Sequence, residues 1–176
     1  MQALAVEPQH TTQTDPRAGK YLAFHLGREE FGIRVLKVRE IIGVQDITAV
    51  PRTPGYMKGV INLRGKVIPV VDLRMKFGLE EVAYNTRTCI IVVQVASPEA
   101  SAGGHPTMLM GIVVDGVSEV LNLAEADIED TPDFGNGAAS PFLLGMAKTK
   151  GRVKILLDID KVLSSGELKG LESILS

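Results

Sequence analysis

Apolar residues along this chain fall in short runs of four to eight, rich in Val and Ile and separated by Gly, Pro or Asn. That spacing predicts strands rather than helices. Leu22, Phe24 and Leu26 alternate with Tyr21, Ala23 and His25; beyond a turn at Gly27 to Glu29, Phe31, Ile33 and Val35 alternate with Gly32 and Arg34. The pattern predicts a hairpin with one buried face. Further strands are predicted at VREIIGV, GVINL and VIPVVDL, with NLRGKV as a tight turn, and the longest at Cys89 to Ala96. Asp72 is placed to cap a short helical turn, RMKF, that Gly78 ends. Helical spacing occurs only from about Asp158 to Leu175, where Ile159, Val162 and Leu163, then Leu168, Leu171, Ile174 and Leu175 recur. Ser97 to Thr107 and Thr131 to Pro141 read as loops, and residues 1–19, rich in Gln, Thr and Pro, as a disordered tail.

The chain also repeats itself. FGIRVLKVREII (Phe31 to Ile42) aligns without gaps on MGIVVDGVSEVL (Met110 to Leu121), matching Gly32 with Gly111, Ile33 with Ile112, Val35 with Val114, Val38 with Val117 and Glu40 with Glu119, 79 positions apart. GVINLRGKVIPVVDL then aligns on GMAKTKGRVKILLDI, matching Gly59 with Gly145, Gly65 with Gly151 and Asp72 with Asp158, 86 positions apart. Two matches in the same order argue for a duplicated unit of about five short strands. Such units close into barrels, which removes exposed edges. The expected fold is all-β with a C-terminal helix: two five-stranded β-barrels, the first over about 20–85 and the second over about 86–160, with the helix at 166–176.

Composition excludes several functions. The 176 residues carry a net charge of −2 and no Trp, which argues against a basic, aromatic-bearing nucleic-acid surface. The single cysteine, Cys89, cannot form an intrachain disulfide, as expected of a protein in a reducing compartment. No run of about 18 apolar residues is present, and the N-terminus does not read as a secretory signal. His10, His25 and His105 stand apart, without metal-ligand spacing, a nucleophile elbow or a phosphate-binding loop around them. Neither enzyme activity, nor a cofactor, nor a metal site is expected. Asp72 and Asp158 hold equivalent places in the two copies, each after a strand and before a helical turn; capping explains both, against a pair of hydrolytic carboxylates.

Two features point to a partner surface. Arg64 sits at the tip of the turn NLRG, with Lys150 as its counterpart; it reads equally as a solvated turn charge and as a contact projected from a rigid scaffold. Val38, Ile41 and Ile42 are more apolar residues than one face of a short strand can bury. The surplus leaves an apolar patch edged by Glu40 and Arg39, either a barrel–barrel contact or a surface for an amphipathic helix.

The strings YLAFHLGREEFGIRVLKVREII, VPRTPGYMKGVINLRGKVIPVVDLRMKFG and GIVVDGVSEVLNL resemble the CheW family of chemotaxis coupling proteins, over roughly residues 20–165. The resemblance implies two SH3-like barrels without an active site. It also implies two partners, the cytoplasmic tip of methyl-accepting chemotaxis receptors and the regulatory domain of a CheA-type histidine kinase, with a cytoplasmic location at membrane-associated receptor arrays and neither nucleic-acid binding nor membrane insertion. Carried over by motif, Val38, Glu40, Ile41 and Arg64 face the receptor, and Gly111 and Val117 line the groove from the second barrel. Lys58 and Gly59, in MKGVINL, belong to the same region and are assigned to the kinase contact. The loops at 97–107 and 130–142 are longer than the family pattern requires.

Overall fold

The structure, a computed structural model, describes residues 15–97, 107–131 and 141–175. The two long loops and residues 1–14 lie wholly or largely outside that range. Residues 15–18 form a turn that belongs to the fold: Arg17 pairs with Asp15 and Asp130 and donates to the Leu144 carbonyl oxygen at 3.0 Å. Residues 15–19 of the expected tail therefore belong to the fold.

Eleven strands are described: β1 (Gly19–Leu26), β2 (Glu29–Arg34), β3 (Val38–Gly43), β4 (Met57–Leu63), β5 (Lys66–Asp72), β6 (Cys89–Ala96), β7 (Thr107–Val114), β8 (Gly116–Leu123), β9 (Ile128–Glu129), β10 (Leu143–Thr149) and β11 (Arg152–Leu157). A short helix, α1 (Leu73–Lys76), follows β5, and α2 (Ser165–Leu175) ends the chain. Capping holds as expected: Asp72 accepts from Arg74 N at 2.9 Å, and Asp158 from Asp160 N at 3.1 Å. Asp158 opens only a 3-10 turn, Ile159–Lys161. The helix starts afresh at Ser165, where Ser164 and Glu167 form a reciprocal capping box over 2.7 and 3.1 Å.

The strands form two sheets, in the orders β8-β1-β2-β11-β10-β9 and β3-β6-β7-β5-β4. A division at residue 85/86 does not separate them. The hairpin β1–β2, from the first copy of the repeat, sits in the sheet built otherwise from the second copy, and β6–β7 sits in the sheet of the first. The repeat thus folds by exchanging its leading hairpins. The crossing is made where β2 leads through the 3-10 turn Val35–Lys37 into β3, and where Asp115 alone joins β7 to β8.

Three cores result. Tyr21, Ala23, Leu121, Leu123, Ile128, Ala147 and Leu156 fill the first sheet. Ile61, Ile68, Val70, Ile90, Val92 and Val113 fill the second. The largest core lies between the sheets, and α2 joins it through Leu168 and Leu171. Repeated glycines mark backbone that a side chain would obstruct. A Cβ on Gly59, whose φ is +142°, would stand 2.1 Å from the Thr48 carbonyl oxygen, and its counterpart Gly145 meets Glu129 O at 2.7 Å. Both lie at register shifts in their hairpins.

Candidate protein-docking site

Glu40 and Arg64, distant in sequence, meet in the fold. The β4–β5 turn places Arg64 at φ +52° and aims its guanidinium across the open edge of β3. Nη1 donates to Glu40 Oε1 at 3.2 Å, and Nη2 contacts the second carboxylate oxygen. The arginine holds the Glu40 carboxyl below its usual range, and the carboxylate raises the guanidinium in turn. Both are solvent-facing, so this is a rim interaction that salt will screen. The pair borders a cleft of about 620 Å³ lined also by Arg39, Leu63, Lys66, Gln94 and Met108. Ile41 stands on the outer face of β3, 45% exposed.

The other residues singled out in the sequence are placed differently. Val38 and Val117 are half-buried against the core between the sheets; Val117 also borders a separate cleft of about 630 Å³ with His25, Val82 and Arg87. Gly111 does not line a groove. It is buried in the second sheet, beside Val70 on β5 and Val92 on β6, and a Cβ there would stand 2.8 Å from Ile90 Cγ2. Its recurrence in the repeat is explained by close packing, as Gly32 packs under Leu156 in the other sheet. Lys58 is held within the chain by Glu81 at 2.7 Å and lies over the Tyr84 ring. Gly59 is the bulge glycine described above, which predicts that Gly59→Ala destabilises the fold by at least roughly 2 kcal/mol in chemical denaturation. A variant with wild-type stability and lost kinase binding would make Gly59 a contact residue instead.

Several exposed apolar residues were not singled out by the sequence. Leu36, in the 3-10 turn before β3, is 88% exposed; in sequence it merges with the strand pattern around it. Val67, Val120 and Val153 point outward from β5, β8 and β11. Cys89 is half-buried, and burial pushes its thiol up, away from reactivity. Asp72 is fully occupied: besides capping α1 it accepts from the Tyr84 hydroxyl at 3.1 Å. Among the described residues no helix is long and apolar enough to cross a membrane.

Two exchanged β-sheets around a shared core, with ion pairs and apolar side chains at their outer edges, define a binding module. The CheW-like domain model matches residues 20–167, so the chain belongs to the CheW-like domain family. It is 40% identical over 155 residues to the Chemotaxis protein CheW of Klebsiella aerogenes, covering 88% of this chain and 87% of that one. It is 36% identical over 146 residues to the Chemotaxis protein CheW of Rhizobium meliloti, covering 83% and 88%. The crystal structure of the scaffolding protein TtCheW from Thermoanaerobacter tengcongensis superposes with a TM-score of 0.71 at 31% identity, covering 85% of this chain and 95% of that one. The role of the chain is that of a non-catalytic adaptor in chemotaxis signalling.

Proposed function

We propose that the chain couples the cytoplasmic tips of methyl-accepting chemotaxis receptors to the regulatory domain of a CheA-type histidine kinase, and takes its place in the array beneath the membrane through those contacts. The observation that best supports the receptor half is the half-exposed Ile41 beside the solvent-facing Glu40–Arg64 pair. An apolar contact flanked by rim charges is what an amphipathic helix needs for affinity and register. Val38, Glu40, Ile41, Arg64 and Val117 are the receptor-facing residues in this reading, and the region of Lys58 and Gly59 belongs to the kinase side. The adaptor acts by differential affinity. A difference of a few kcal/mol between two kinase states is enough to pass on a receptor signal.

Titration of the chain with the isolated kinase regulatory domain tests the reading directly. Saturable one-to-one binding is expected; absence of binding to any such kinase of the same cell would sink the kinase half. For the receptor half, Arg64→Glu places a carboxylate against Glu40. It is expected to raise the Kd for a receptor cytoplasmic fragment roughly tenfold while leaving the melting temperature near wild type. Unchanged binding would reduce Arg64 to a turn charge.

A further inference from the structure

Backbone pairing does not tell the two copies of the repeat apart. β1 pairs with β8 as β6 pairs with β3, and β2 pairs with β11 as β7 pairs with β5. The same ladders would serve between two first copies or between two second copies. The charges would not. Among the described residues, five ion pairs join the first half of the chain, which holds β1 to β5, to the second half: Arg17–Asp130, Lys37–Asp160, Arg74–Asp115, Lys76–Glu167 and Lys154–Glu30. In the first four the cation stands in the first half and the acid in the second. The pairs Glu40–Arg64 and Glu119–Lys150 each lie within one half. Two of the joining pairs are related by the repeat. Arg74 and Asp160 hold equivalent places 86 positions apart and carry opposite charge. Each stands two residues past its capping aspartate. Each reaches the turn by which the other half crosses between the sheets: Arg74 meets Asp115 at 2.6 Å, and Asp160 meets Lys37 at 2.6 Å.

We infer that these charges specify which halves combine: a first half with a second half, and neither with its own kind. Two first halves built on the same ladders would set Lys37 against Arg74, and two second halves would set Asp115 against Asp160. Like charges at ion-pair distance repel where the opposite charges attract. The buried pair rejects the same combinations by another route. The first-half counterpart of Lys154 is Ile68, and the second-half counterpart of Glu30 is Leu109. Two first halves would therefore bury the Glu30 carboxylate against Ile68, and two second halves would bury the Lys154 ammonium against Leu109, each without a counter-charge. Discrimination between such similar partners comes from refusing the wrong one as much as from holding the right one. Both halves of the wild-type chain lie on one chain, so the complementary half is always the nearest, and the chain closes on itself. The duplicated unit has thereby become a matched pair that neighbouring copies of the chain do not disturb by trading like halves.

The test exchanges the signs in the full chain. Lys37→Asp with Arg74→Asp makes these positions acidic in both halves, and Asp115→Lys with Asp160→Lys makes them basic in both. Refolded alone, each double variant is expected to melt below wild type. Refolded together from denaturant at equal concentration, the two are expected to form a mixed dimer, seen at twice the monomer mass by native mass spectrometry, in which each first half combines with the other chain's second half. Neither double variant should dimerise with the wild type, because one of the two combinations would still repel. The chain with all four substitutions is expected to refold as a monomer that melts above both double variants. It does so although Asp115 and Asp160 also accept from Gly27 N at 2.6 Å and Ala96 N at 2.8 Å, contacts that lysine does not keep. Absence of the mixed dimer overturns the inference. So does equal dimer formation with the wild type, or a fourfold chain no more stable than the double variants.

Discussion

Lys154→Ala is expected to lower the unfolding free energy by roughly 3–5 kcal/mol, because it strands a charge in the interior. Lys154 and Glu30 are 3% and 7% exposed, and Lys154 Nζ donates to Glu30 Oε1 at 2.8 Å across the parallel junction of β2 and β11. His25 Nε2 lies 3.9 Å from the second carboxylate oxygen. The other sheet supplies a natural control. The counterparts of Lys154 and Glu30 are Ile68 and Leu109, an apolar pair within the core of that sheet. The double change Lys154→Ile with Glu30→Leu is therefore expected to recover wild-type stability to within about 1 kcal/mol, or to exceed it. Denaturant titration followed by circular dichroism measures both. A Lys154→Ala variant within about 1 kcal/mol of wild type would mean that water relieves Glu30. The pair also fixes a pH dependence. Lys154 holds the Glu30 carboxyl below the ordinary glutamate value, so its contribution is fully present above about pH 4.3. It is lost as pH falls through the lowered folded value. The double variant should lose that part of the acid sensitivity.

The second large effect concerns the exchanged hairpins. The ladders β1–β8, β2–β11, β3–β6 and β5–β7 each join strands from different copies of the repeat. Within the first copy only β1–β2 and β4–β5 pair with each other. Cutting the chain in the exposed stretch between Leu79 and Ala83 should yield two fragments that are unfolded alone, since isolated hairpins are marginal in water. Mixing them at equal concentration should restore a single cooperative transition. The measurement is amide dispersion by NMR for each fragment and for the mixture. A half that melts cooperatively as a monomer would show that its leading hairpin can pair with its own copy, and would sink the account.

Much of this architecture was legible in the chain. Strand alternation located β1 and β2 but predicted one buried face, whereas β1 is buried on both, Tyr21 and Ala23 in the core of the first sheet and Leu22, Phe24 and Leu26 in the core between the sheets. The turn at Arg64–Gly65 was marked by NLRG, and Asp72 and Asp158 were legible as caps because a helical turn needs an acceptor at its start. The duplication was legible because the bulge and packing glycines recur at fixed offsets. The role of Gly111 was not: a resemblance can mark a residue as important without showing that it lies inside a sheet. Lys154 was not legible either, because RVKILL reads as an ordinary half-exposed strand and its partner is 124 positions away.

The strands, the repeat and the family could be read from the chain alone. Only the tertiary structure decided which copy each hairpin joins, because period-two alternation specifies a face and not a partner, and the two copies offer nearly the same edges. That decision also made the site. Glu40 meets Arg64, and Glu119 meets Lys150, only after β3 and β8 have been carried to the rims facing those turns. Charges so far apart in sequence become neighbours through packing that their own residues do not encode.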